Sequence, residues 1–131
     1  MTNNNKYIAR WIKIADHDLG TAKIIYLHLP EYKEMICFHC QQAVEKYLKG
    51  FLTYLEIDFK KKHSLEYLLN LISIKDEFSE EWYEIASKIE NYAIEIRYPD
   101  ETVLPTDEEV KEAIEITEKF RELINKKLTG H

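Results

Sequence analysis

Three prolines punctuate the 131 residues, Pro30, Pro99 and Pro105, and between them apolar side chains recur at spacings of three and four. Proline has no N–H for an i→i−4 bond, and its ring clashes inside a helix, so each one marks a place where a helix stops or has not yet begun. The uninterrupted stretches are therefore read as helices. Over residues 7–28 the spacing puts Ile8, Trp11, Ile12, Ala15, Leu19, Ala22 and Tyr26 on one stripe. The Leu29-Pro30-Glu31 break ends it, and a second helix follows over about residues 32–56, with Cys37, Cys40, Val44, Tyr47, Leu48, Phe51 and Leu55 turned inward. Ser64 caps a short third helix carrying Leu65, Leu68, Leu69 and Ile72. Ser79 opens a fourth, with Trp82, Ile85, Ala86, Ile89, Tyr92 and Ile96 inside, and Pro99 closes it. Thr106 and Glu109 make a capping box ahead of Val110, Ala113, Ile114, Thr117, Phe120 and Ile124. Joined by short connections, these segments predict an all-α, up-and-down bundle of four long helices and one short one, forming a single domain over residues 1–131. Only three glycines are present, too few for a turn-rich sandwich or barrel, and no stretch reads as a strand.

Charge narrows the function. Eighteen basic against twenty-four acidic side chains give a formal charge of −6, so the chain does not coat nucleic acid by charge alone, and any contact with phosphate is local. The clearest basic cluster is Lys60-Lys61-Lys62-His63, with Lys46 and Lys49 on the second helix; its plainest explanation is a solvated loop and helix edge. No run of about 18 apolar residues exists, and MTNNNKYIAR lacks an apolar signal core. A cytoplasmic protein without a membrane span is expected.

Three constellations could carry chemistry. Asp18 falls among Trp11, Ile14, Ala15, Ala22 and Ile25 rather than on the polar side of its helix, so a cation from another helix should meet it, either as a register-fixing ion pair or as part of a site. His39, Gln42, Lys46 and Lys49 follow one another along the second helix beside Met35 and Phe38. That line offers an imidazole, an amide and two cations to a phosphate-bearing ligand or an acidic partner, while its apolar members suit a dimer contact. Arg97-Tyr98-Pro99-Asp100 sits where the fourth helix ends. Arginine presents a planar fork to phosphate or carboxylate, and Tyr98 can stack on a base; alternatively Arg97 only pairs with Asp18 or Asp100.

Other motifs are set aside. Cys37 and Cys40 form a CxxC, but no further cysteines complete a zinc site and both point toward the core. No glycine-rich phosphate loop, nucleophile elbow or HExxH occurs, and neither metal nor cofactor is expected.

The first-helix pattern of Trp11, Asp18, Leu19 and Ala22, the segment FHCQQAVEKYLKG, HSLEYLL and RYPD together resemble the HEPN domains, named for nucleotide binding in higher eukaryotes and prokaryotes. The resemblance spans most of the chain, from Trp11 to about Phe120. It implies a helical bundle, usually a homodimer, often paired with a minimal nucleotidyltransferase in a toxin–antitoxin or related system. It also implies that many members are metal-independent ribonucleases using R-x(4-6)-H near the start of the last long helix, the arginine on the scissile phosphate and the histidine as acid or base. This sequence departs from that pattern: after Arg97 no histidine occurs before His131. Arg10 and His17 fit R-x6-H but lie on the outer side of the first helix. His39 or His63 could replace the base only if the fold brings one close to Arg97.

The expectation is that Asp18, His39, Gln42, Lys46, Arg97, Tyr98 and Asp100 converge where the first, second and fourth helices meet. Three functions follow: a module binding nucleotide or RNA phosphate beside a nucleotidyltransferase, a homodimeric structural module, and an atypical ribonuclease.

Overall fold

The computed structural model describes residues 2–94 and 104–129. The described residues form five helices and no strand: α1 (Thr2–His28), α2 (Lys33–Tyr54), α3 (Leu65–Ile72), α4 (Glu80–Ile94) and α5 (Asp107–Thr129). The segments follow the expected order, with α1 starting earlier than its apolar stripe and α2 ending slightly before the expected boundary.

Local chemistry explains the starts of α3 and α5. Ser64 accepts from the Tyr67 N–H at 3.2 Å, and the Thr106 capping box closes in both directions, Glu109 N–H to Thr106 Oγ1 at 3.1 Å and Thr106 N–H to Glu109 Oε1 at 2.9 Å. The end of α2 is less ordinary. Glu56 adopts a left-handed φ of 61°, the Ile57 N–H bonds back to the Leu52 carbonyl at 3.0 Å, and the Glu56 N–H bonds to that of Thr53 at 3.1 Å. This is a Schellman closure with glutamate where glycine is favoured. It reverses the chain, so that residues 57–63 run back along α2 before α3 begins.

The inward stripes make one core. Cys37, Cys40, Val44, Tyr47, Leu48 and Phe51 of α2 are buried, with Leu65, Leu68, Leu69 and Ile72 of α3, Ala86 and Ile89 of α4, and Val110, Ala113, Thr117, Phe120 and Ile124 of α5. Helix α2 lies at the centre and α1 packs tightly against it. A Cβ on Gly50 would come within 3.0 Å of Ile12 Cδ1 and 3.2 Å of Trp11 Cβ, so glycine is what permits that approach. Both cysteines are free thiols with no accessible surface, as their helix positions required.

Candidate functional site

Tight packing of α1 on α2 decides what the polar stripe faces. Asp18 projects from the flank of α1 onto it: its Oδ1 accepts from His39 Nδ1 and its Oδ2 from Lys46 Nζ, both at 3.2 Å. Each of the three side chains is about one-fifth exposed. A carboxylate accepts hydrogen bonds and donates none, so the imidazole carries a proton on Nδ1 and turns Nε2 away from Asp18. Lys46 Nζ also donates to Gln42 Oε1 at 2.9 Å. The cation that the position of Asp18 demanded is thus Lys46 of α2, and His39 of the same helix adds a second donor.

The polar run continues across α2. Gln42 Nε2 donates to Gln41 Oε1, and Gln41 Nε2 donates to the His63 carbonyl, both at 3.4 Å. A chain of side chains therefore leads from Asp18 on α1 to the loop holding Lys60, Lys61 and Lys62. The three lysines are exposed. Tyr67 fixes the loop from below, its OH accepting from the Lys60 N–H at 2.9 Å and its ring lying 5.2 Å from Lys62 Nζ.

Lys49 leaves the stripe. It is only 7 % exposed, lies 5.6 Å from the Trp11 ring centroid and 5.8 Å from that of Phe59, and donates to Glu45 Oε2 at 2.6 Å. The same oxygen accepts from His63 Nδ1 at 2.8 Å. The sequence suggested a solvated edge for Lys49; the returning loop covers it with Phe59 and turns it into a buried ion pair. Glu45 is the functional-site neighbour that sequence reasoning missed. Its one local signal was the i,i+4 spacing to Lys49.

A second missed cluster ties α1, α2 and α5. The fully buried Tyr47 donates its OH to Asp16 Oδ1 at 2.5 Å, and Arg121 Nε donates to the same oxygen at 3.1 Å. Beside it an open groove of about 600 Å³ runs between α1 and the end of α5, lined by Ile8, Ile12, Asp16, His17, Tyr54 and Leu128 among others.

Arg97, Tyr98 and Asp100 lie outside the described residues, so the four members on α1 and α2 are the ones placed: Asp18, His39, Gln42 and Lys46 share one face. Arg10 and His17 are exposed on α1, in keeping with their expected outer side. Among the described residues no group of three or more His, Cys, Asp or Glu side chains could hold a metal ion. No helix among them is long and apolar enough to cross a membrane.

Burial sets the acid–base behaviour of the core. It pushes the Cys37 and Cys40 thiols up to about 12, and pushes the Tyr47 phenol upward too, helped by its bond to Asp16. A raised folded value stabilises fully below the unfolded value and is lost as pH climbs toward the folded one. Stability should therefore fall from about pH 9 upward for the two thiols and from about pH 10 upward for the phenol, by roughly 1.4 kcal/mol per pH unit for each group, because the unfolded thiols and phenol ionise first. Urea titrations at successive alkaline pH values measure this; a flat profile between pH 9 and 11 would contradict it. At pH 8 neither thiol should react with iodoacetamide until the protein unfolds.

The HEPN domain family model matches residues 8–127. The fold is similar to the crystal structure of ST0689, an archaeal HEPN homologue, with a TM-score of 0.73 at 25% identity over 93% of this chain and 98% of that one. It is also similar to the crystal structure of TT1696 from Thermus thermophilus, with a TM-score of 0.75 at 29% identity over 92% of this chain and 97% of that one. No curated protein matches it. The helices, their order and the family match across nearly the whole length agree: the chain belongs to the HEPN domain family.

Proposed function

We propose that this HEPN domain binds nucleotide or RNA phosphate on the face formed by His39, Gln42 and Lys46, with Arg97, Tyr98 and Asp100 contributing, and that it works in the cytoplasm beside a separate nucleotidyltransferase in a toxin–antitoxin-like pair. The observation that carries this is the Asp18 cluster: one carboxylate holds an imidazole and an ammonium side by side at 3.2 Å, and the glutamine relay runs from Lys46 to the His63 carbonyl, next in sequence to three exposed lysines. Lys46 balances the charge of Asp18, and the exposed Lys60, Lys61 and Lys62 add a local positive patch on a chain of net charge −6. Arg97 adds a bidentate phosphate ligand.

Binding of ATP and of a fluorescein-labelled oligouridylate to wild type, Lys46→Ala and Arg97→Ala tests this. Loss of one charge-assisted contact should weaken binding about tenfold or more, and the oligonucleotide affinity should fall steeply with salt. Equal affinity of the Lys46→Ala and wild-type proteins would overturn the proposal.

A second function has its own support. Half-buried Met35 and Phe38, with Ile14 at 38% and Tyr7 at 51% exposure, give the Asp18 face apolar members suited to a second copy of the chain. In that case the domain is a homodimeric structural module and the ion pairs set helix register. A monomer at micromolar concentration in sedimentation equilibrium would count against it.

A further inference from the structure

Two cavities flank the C-terminal half of α5. One, of about 550 Å³, lies between α4 and α5 on Trp82, Ile85 and Leu123. The other, of about 490 Å³, lies where α2 ends, on Tyr54, Leu55 and Leu123. Leu123 and Lys126 line both, so the two meet in one trough, and each falls in the size range of small-molecule sites. Charge is spread unevenly along it. In the α4–α5 part Lys119 and Lys126 are balanced by Glu81 and Glu122, whereas in the end part Lys75, Lys126 and Lys127 stand against Asp76 alone. Asp76 is taken by Lys127, at 2.8 Å. Lys75 Nζ donates to the Leu55 carbonyl at 2.6 Å, where it complements the dipole of α2, but it has no carboxylate partner among the described residues. Lys126 is exposed and has no partner of any kind among them. Two ammonium groups without a matching acid therefore border one cavity, on a chain of net charge −6.

A trough that is neutral and apolar along one part and cationic at the other suits a ligand built the same way. Asn125 is the one amide side chain lining either part, so the trough offers little to the edge of a nucleobase. We propose that it binds a long-chain monocarboxylate as a free monomer, the hydrocarbon chain lying on Trp82, Ile85 and Leu123 and the carboxylate between Lys75 and Lys126. Removal of the chain from water supplies most of the affinity, and the two ammonium groups fix its direction. The site is separate from the Asp18 face: Tyr54 and Leu55 lie about four turns beyond His39 along α2. It does not depend on the phosphate-binding function.

The test is a titration of dodecanoate, kept below its micelle concentration, into a Trp11→Phe chain in which half-buried Trp82 is the remaining tryptophan. Trp82 emission should change saturably, and isothermal titration calorimetry on the wild-type chain should give the same Kd. Affinity should rise at least about twofold per methylene from octanoate to dodecanoate. Dodecanol, with the same chain and no charge, should bind about tenfold more weakly or worse. Lys75→Gln combined with Lys126→Gln, both surface changes, should weaken dodecanoate about tenfold or more and leave dodecanol unmoved. Oligouridylate should not compete. The absence of a saturable response, equal affinity for dodecanol and dodecanoate, an unaffected double variant, or competition by oligouridylate overturns the proposal. So does association with phosphatidylglycerol vesicles by a chain that ignores monomeric dodecanoate, which would make these lysines a membrane contact.

Discussion

Glu45→Ala should destabilise the fold by about 3 kcal/mol or more, because it strands a buried ammonium. Lys49 is 7% exposed and lies between Trp11 and Phe59, with Glu45 as its only ion-pair partner among the described residues. The contacts with the two rings offset part of that loss. Glu45 is itself imperfectly matched: Oε2 accepts from both Lys49 and His63, while the buried Oε1 has no hydrogen-bond partner among the described residues. A pair of this kind contributes little over an apolar replacement but is expensive to break from one side. Chemical denaturation should therefore show Glu45→Ala far below wild type and the double change Glu45→Met with Lys49→Met close to it. If the double variant is as unstable as the single one, lost packing of the returning loop, and not a stranded charge, is the cause. The His63 side chain, 71% exposed, adds little to this balance.

Phe120→Ala should cost about 3–5 kcal/mol. Its ring has no accessible surface and meets Trp82 edge-on at 5.1 Å between centroids; Trp82 in turn lies 6.1 Å from Phe78, and Phe78 lies 6.2 Å from Phe51. That row of aromatics joins α5 to α4 and α2. Removing Phe120 opens a cavity where rigid helices from three directions cannot collapse, so both the transfer and the cavity contributions apply. Thermal unfolding read by tryptophan fluorescence measures the effect. A loss below about 1.5 kcal/mol would mean that α5 moves inward to close the gap.

These two sites differ in how far they could be read from the residues alone. Phe120 was placed in the core correctly, since its position on a stripe with Ala113, Thr117 and Ile124 needs only the helical repeat. The same holds for the Ser64 cap, the Thr106 capping box and the inward turn of both cysteines. Asp18 was legible in part. An acidic residue on an apolar flank announces that a cation must meet it, yet whether Arg97, His39 or Lys46 would do so depended on how α1 and α2 are rotated against each other. Glu45, by contrast, looked like one more charge on a helix edge. Its burial follows from a chain reversal at Glu56, where a non-glycine residue takes a left-handed conformation that no glycine marks. The Asp16, Tyr47 and Arg121 cluster joins residues up to 105 positions apart, beyond the reach of any local pattern.

The sequence by itself determined the helices, their ends, their buried stripes and the family resemblance, because hydrogen bonding within a helix and side-chain periodicity act over three or four residues. Only the tertiary structure decided which charges meet: Asp18 with both His39 and Lys46, and Glu45 with Lys49 and His63. Those pairings depend on the separation and rotation of packed helices, on the close approach that Gly50 allows, and on the path of one loop. Ion pairs form or fail over about an ångström, a precision that the apolar pattern of a helix does not carry.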